Sequence, residues 1–460
     1  MSPHSMGSAR SRSMRFIGPG VALIAAILLA PVVAVADDIS SAPSPTPRGA
    51  KSPAYEKWRQ SMSRGEKGPG HAGCFKADYP DDGWTEIPCT TAPDRPYIAR
   101  SNTGPVPEAV GNGLDWSAMS NSGYLTYSEG SFGTSADVSE SSQGYANSYT
   151  LQLNSNTFSS PACRVAGCTG WQQYIYSVSG TGGTGSSSVF IQYWLLNATA
   201  AGCPASWTYY GGPGTPGCFV NGPAVNVPAQ PVTNLFAMTL TGTAIPGGLD
   251  QLSLSTGTSI YSTSSEDTVL TLSAGWTTAE FNVFGDGGGS TATFSSGTLI
   301  SVETMVSNGT TSSPAPRAVE YGFTGELNNL TLDTSVICSV ADPNGPYIWF
   351  QEYYGATPAS ACPETPISLA APTVTTTGPT GVGTIVEAFT FTWPSVTNAT
   401  YYVLSKNGGT GSVIHGNSAG AAVPCGPEVV VTLSSCDAAG CGWPETVLAA
   451  KNTAKACNTN

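Results

Sequence analysis

Between residues 106 and 365 the chain presents one short strand-like segment after another. TYSEG, YANSYTLQLN, WQQYIYSV, SVFIQYWLL, LFAMTLTGTA, DQLSLSTG, DTVLTLSA, AEFNVFGD, TLISVETMV and LNNLTL succeed one another, separated by Gly, Ser, Asn and Pro. β-Branched and aromatic residues fill these segments, often at every second position, and none sustains the period of about 3.6 residues that marks an amphipathic helix. Composition agrees: charged residues make up 10% of the 460 residues, with 54 Gly and 35 Pro, against roughly 25% charged in an ordinary soluble domain. The pattern predicts an all-β fold, a jelly-roll or concanavalin-like β-sandwich over residues 106–365.

The ends of the chain differ from this centre. Arg10, Arg12 and Arg15 precede an apolar run from Val21 to Val35, and Ala34-Val35-Ala36 offers small residues before Asp37-Asp38. This is the pattern of a secretory signal over residues 1–36, so the expected location is extracellular, with no membrane anchor after cleavage. Residues 37–105 read as a Pro/Ser linker with a possible propeptide, in which 54–65 suits a short helix. From Arg48 to Lys76 seven basic residues face only Glu56 and Glu66, so this piece is complementary in charge to the acidic region C-terminal to it. Residues 366–384 read as a Pro/Thr/Gly linker. Residues 385–460 resemble a fibronectin type III-like module, on the strength of Phe389-Thr390-Phe391-Thr392-Trp393, Tyr401-Tyr402-Val403 and the hairpin around Val429–Cys441.

Charge and histidine content narrow the chemistry. Between residues 101 and 365 seventeen acidic residues accompany only Arg164 and Arg317. Such a surface repels nucleic acid and anionic membranes. Once its carboxylates protonate, few cations remain to repel one another, which favours survival at low pH. The histidines are His4, His71 and His415, all outside the central region. A Ser-His-Asp or Cys-His mechanism is thereby excluded there, and so is a His-ligated metal; no cofactor is expected. Lysine is absent from 77 to 405, which removes Schiff-base chemistry. What remains is carboxyl, amide, hydroxyl and phenol.

The twelve cysteines fall in close couples, the habit of local disulfides in an oxidising compartment. The expected pairs are Cys74–Cys89, Cys163–Cys168, Cys203–Cys218 and Cys338–Cys362. Cys436 and Cys441 join the disulfide set, while the connectivity among Cys425, Cys436, Cys441 and Cys457 stays open.

Alternation in strand 279–286 puts Ala279, Phe281 and Val283 on one face and Glu280, Asn282 and Phe284 on the other. In 188–196, Phe190, Gln192 and Trp194 share a face, an aromatic strip carrying an amide that suits an extended sugar or peptide. The order WQQYIYSV, SVFIQYWLLN, LFAMTLTGTA with DQLSLSTG, then TAEFNVFGD resembles that of the eqolisin-type glutamic peptidases, over residues 171–305. Ala279-Glu280-Phe281 is the part matched residue by residue, and the chain departs from the family in having no acidic residue within 188–196. The resemblance implies an acid endopeptidase acting on a polypeptide, with Glu280 as general base and a glutamine as oxyanion donor. Gln173 is the first candidate, Gln172 and Gln192 the others, and Trp171, Gln192 and Trp194 would line the substrate. The competing expectation is a non-catalytic glycan-binding or adhesive protein. For sugar cleavage, Glu280 and Glu303 would be the carboxylate pair.

Overall fold

The computed structural model describes residues 53–452 except Glu66 and the stretches 102–108, 137–139, 143–144, 180–185, 311–314, 341–345, 363–373, 381–385, 397–398, 400, 407–411, 426–428, 438–439 and 442–444. The signal segment 1–36 and the side chains of Cys436 and Cys441 lie outside the described residues.

A single α-helix stands among the described elements, α1 (Pro53–Ser63). Its proline occupies the first turn, where the missing N–H costs nothing, and Tyr55, Trp58 and Met62 form its buried stripe. The strands that frame the site are β1 (Gly73–Asp78), β2 (Trp116–Met119), β3 (Tyr127–Ala136), β4 (Tyr149–Ser155), β5 (Thr169–Ser179), β6 (Ser186–Leu196), β7 (Gly217–Asn221), β8 (Thr239–Ala244), β9 (Leu249–Thr256), β10 (Ser259–Glu266), β11 (Thr278–Phe284), β12 (Thr298–Ser307), β13 (Arg317–Glu320) and β14 (Tyr347–Tyr354).

They form two antiparallel sheets packed face to face, the expected β-sandwich. A ten-stranded sheet runs β1-β10-β9-β8-β3-β12-β14 through its middle, and a nine-stranded sheet runs β7-β6-β5-β4-β11-β2-β13. Their facing sides carry the alternate apolar residues: Leu151, Leu153, Tyr174, Tyr176, Ile191, Tyr193, Phe281 and Val283 from one, Phe132, Leu240, Leu252, Leu254, Ile300 and Val302 from the other. Burying each such side chain contributes about 1.5–3 kcal/mol. Two glycines let the sheets close. A Cβ on Gly130 would lie 1.9 Å from the Phe281 ring, and one on Gly242 would lie 2.6 Å from that of Tyr174. Phe281 is thereby seated, and its neighbour Glu280 must point to the opposite, outer side of the nine-stranded sheet. Phe284, expected on the Glu280 face, belongs to the main core instead.

The basic N-terminal piece is built into this sandwich. β1 pairs with β10 from Gly73↔Ser264 to Asp78↔Ser259, and Cys74–Cys89 closes the loop behind it. Cys163–Cys168, Cys203–Cys218 and Cys338–Cys362 are bonded as their spacing predicts.

The C-terminal module has its own core around Phe391, Trp393, Tyr402, Val431 and Leu433, enclosed by a three-stranded and a five-stranded sheet. It begins earlier than residue 385. Thr375–Thr380, read as linker, is a strand paired with Val386–Thr392. Its threonines favour extended backbone, and Pro379, which has no N–H to donate, falls where the register shifts between Thr377 and Thr380.

Candidate functional site

The register of the nine-stranded sheet sets one polar row across it. Ser117 of β2 pairs with Glu280 of β11, Glu280 with Asn154 of β4, Asn154 with Gln173 of β5, Gln173 with Gln192 of β6 and Gln192 with Asn221 of β7. Large apolar residues flank the row: the aromatic Trp171, Trp194 and Phe219 on one side, Ile175 and the aromatic Phe190 on the other. The sequence-predicted Glu280, Gln173, Gln192, Trp171 and Trp194 are therefore brought to one face. Gln172 is not. Its phase turns it into the space between the sheets, near Asp250 and Tyr174, where its amide nitrogen and oxygen are buried without hydrogen-bond partners.

Glu280 is fully buried. Its Oε2 accepts hydrogen bonds from Asn154 Nδ2 at 2.9 Å, the Phe323 amide at 2.9 Å and the Thr324 amide at 3.1 Å. Its Oε1 has no partner and faces Gly322, where a Cβ would lie 2.6 Å away. Burial pushes the Glu280 carboxyl up to about 7, against the opposing pull of those three donors and of the Arg100 guanidinium. Gln152 Oε1 ties the neighbours together, receiving Gln173 Nε2 at 3.2 Å and Asn154 Nδ2 at 3.4 Å, with Thr324 Oγ1 at 2.9 Å. Asn154 Oδ1 and Gln173 Oε1 are, like Glu280 Oε1, buried without partners. Unpaired buried groups also stand between the sheets, at Gln172, Thr241, Thr243 and Asp250; what sets these three apart is their position side by side on the outer face, one of them a carboxylate oxygen.

Gln192 differs in being fully used. Its Oε1 accepts from the Tyr97 amide at 2.7 Å and Trp194 Nε1 at 2.9 Å, and its Nε2 donates to Arg95 O and Asn221 Oδ1. It holds backbone, which leaves Gln173 as the amide beside Glu280.

Sequence reasoning missed Asn154, Gln152 and Glu326. The signal for the first two was present: in Tyr149–Ser155 the amides alternate with Leu151 and Leu153. Glu326 sits in an irregular segment and carried no such signal. It is fully buried, and burial lifts its carboxyl to about 7 despite hydrogen bonds from Thr324, Ile98 and Gly289.

Glu303 does not join Glu280. It lies on β12 of the other sheet, within 3.3 Å of Ser131 Oγ, on the outer side opposite to Phe132 and Val302 of the core. The two glutamates occupy opposite outer faces of the sandwich, so they cannot flank one glycosidic bond. Strand order within the sheets, which local pattern does not encode, separates them. Among the described residues no group of three or more His, Cys, Asp or Glu side chains is placed to hold a metal ion, and no helix is long and apolar enough to cross a membrane. The chain matches no family model and no curated protein.

Proposed function

We propose that the chain is a secreted, acid-acting endopeptidase of the glutamic type, with Glu280 as general base and Gln173 as oxyanion donor. The observation that carries this reading is the polar row, in which a carboxylate with one free oxygen stands two strands from a glutamine amide on an aromatic-flanked face. In the reaction, Glu280 takes a proton from water as the water attacks the peptide carbonyl. The Gln173 amide donates to the developing oxyanion, a contribution of about 3 kcal/mol for a single donor. Glu280 then returns the proton to the departing nitrogen. Neither step calls on a histidine or a lysine. Asn154 holds Glu280 in place through Oε2 and leaves Oε1 for the water.

The face is covered in this structure, and under the cover burial raises the Glu280 carboxyl to about 7, so that it is mostly protonated at acidic pH. Hydration of the opened face removes the burial that raises its pKa, and the carboxyl returns toward its ordinary range, where it is a base at mildly acidic pH. The four disulfides between described residues suit an extracellular setting. The C-terminal module, with its fibronectin type III-like pattern, serves as a spacer or binding appendage.

Incubation of an unfolded protein substrate with the chain at pH 2–5 tests the reading. Cleavage should be lost in Glu280→Gln without loss of fold, and Gln173→Ala should lower the rate by about a hundredfold or more. Cleavage that survives Glu280→Gln would place the base elsewhere. If no cleavage occurs once the face is opened and an oligosaccharide binds it instead, the glycan-binding reading replaces this one.

A further inference from the structure

We infer that the segment Ala92–Ser101 is an intramolecular occupant of the Glu280 face, bound there as an extended polypeptide substrate binds, so that, with the stretch 322–326 that it pairs with and that lies directly on Glu280, it both shuts the site and records what the site accepts. The inference rests on reading that face as a polypeptide-binding site.

The segment is held chiefly through its backbone. Asn221 Nδ2 donates to Pro93 O at 3.1 Å, and Gln192 takes Arg95 O and the Tyr97 amide. The Ile98 amide donates to Glu326 Oε1 at 2.9 Å, and Ile98 O accepts from the Gly325 amide at 2.7 Å. The Arg100 amide donates to Phe323 O at 2.9 Å, while Ala99 O and Arg100 O accept from Thr215. Contacts of this kind read an extended main chain, whatever its sequence, as in strand-addition recognition of peptides. Gln192, Asn221, Glu326 and Thr215 supply side chains to these contacts, and Phe323, Gly325 and Thr215 supply backbone.

Side chains of the segment alternate as in a strand. Tyr97 is fully buried against Ile175, Phe190 and Ala224, with its hydroxyl 3.1 Å from both Ser177 Oγ and Asp286 Oδ1. Ala99 lies on Trp171, Trp194 and Phe323. Ile98 points the other way, into space left by glycines: a Cβ on Gly325 would come within 2.8 Å of it and one on Gly289 within 3.0 Å. The glycine seats and the amide row together form a groove shaped to a strand. The substrate class this groove fits is an extended polypeptide with an aromatic residue and, two positions later, a small one.

The test uses the full chain carrying Tyr97→Ala and Ala99→Asp, which remove the aromatic anchor and set a charge on the two tryptophans. A labelled peptide with the wild-type sequence of residues 92–101 is the probe, at pH 6, where the introduced aspartate is ionised, with the gain in acrylamide quenching over the wild type, and its loss when Trp171→Phe and Trp194→Phe are added, reporting exposure of those two tryptophans. The expected result is a folded variant with quencher-accessible tryptophans that binds the peptide one to one, at least about tenfold more tightly than the wild type does. A peptide with alanine at the tyrosine position should bind at least about tenfold more weakly. A folded variant with accessible tryptophans and no peptide binding would overturn the inference. So would loss of cooperative unfolding, which would make the segment an inseparable piece of the core, and so would tryptophans that stay protected. Repeating the binding in the Glu280→Gln background separates the two readings. Peptide bound without cleavage of any polypeptide by the opened chain leaves the occupant standing and removes the hydrolytic role.

Discussion

Two glutamates lie on the two outer faces of the sandwich, both buried, and they have opposite fates. Glu129, on β3 of the ten-stranded sheet, meets Arg59 of α1 in a two-pronged ion pair, with Nη1 2.9 Å from Oε2 and Nη2 2.8 Å from Oε1, and the Tyr127 hydroxyl also donates to it. Burial opposes its ionisation, yet the Arg59 guanidinium holds its carboxyl below the ordinary value. Glu280 has amide donors on one oxygen, nothing on the other, and no cation within salt-bridge distance among the described residues. Its carboxyl moves up. A buried carboxylate with a cation is a fastening, here of α1 to the sheet. One surrounded by amides, with a lone pair left over, is stable only when neutral and becomes reactive when wetted. Covered in this way, the two faces teach that burial alone does not separate structure from chemistry; the partners of the buried group do.

The largest effect expected from this contrast is on stability. Glu129→Gln removes the two-pronged partner of buried Arg59 and leaves it only Glu56, whose Oε2 lies 2.8 Å from its Nε; it should cost up to about 3–5 kcal/mol, read as a fall in the midpoint of denaturant unfolding. Adding Arg59→Met should recover much of that loss. Glu280→Gln should cost far less at pH 8, because it replaces a group that prefers to be neutral. Equal losses at the two positions would erase the distinction.

The pH dependence should also run in opposite directions. Glu280, Glu326 and Glu352 are each lifted by burial to about 7. A raised carboxyl contributes stability that is complete below its unfolded value, near about 4.5, and disappears as pH rises through about 7. Glu129, with its lowered value, contributes stability present above its unfolded value and lost as pH falls through the lowered one. Thermal scans from pH 3 to pH 8 should therefore show the midpoint falling between pH 5 and pH 8, with a shallower fall in Glu280→Gln. A midpoint that rises across that interval would contradict the assignment. Scarcity of basic residues predicts acid tolerance from the sequence; the buried carboxyls add a loss toward neutrality that composition does not reveal.

Gly322→Ala is the finest probe. Its new methyl would sit 2.6 Å from Glu280 Oε1 and 3.2 Å from Asp115 Cβ, so either the carboxyl or the segment above it must shift, at about 1–3 kcal/mol. The matching change at Gly133, whose Cβ would lie 2.8 Å from Ser301 Oγ and 3.2 Å from Glu303 Oε1 on the other face, should alter stability without touching hydrolysis. Gly322→Ala should lower hydrolysis by the opened chain.

Much of the site was legible because alternation in a strand is a local property. The phase of Ala279, Phe281 and Val283 placed Glu280, and Phe190, Gln192 and Trp194 were grouped from spacing alone. Short-range cysteine couples were legible for the same reason. The choice between Gln172 and Gln173 was not, since adjacent residues of an aromatic strand buried on both sides carry no sign of which face is which. Nor was the position of Glu303, which depends on which sheet its strand joins. The cover escaped most completely: Tyr97, Ile98 and Ala99 lie in a Pro-flanked, basic stretch whose composition suits a linker, and contacts with residues more than seventy positions away, such as Tyr97 with Ser177 and Gln192, give it structure.

The state of the Glu280 carboxyl itself tests the central claim most directly. Carbon-13 labelling of the glutamate carboxyls, with Glu280→Gln to assign the signal, follows its titration in the full chain and in the Tyr97→Ala/Ala99→Asp variant. The expected midpoint is near 7 in the closed chain and clearly lower, toward the ordinary carboxyl range, once the face is open. An ordinary midpoint in the closed chain, or one that the two substitutions leave unchanged, would contradict the claim.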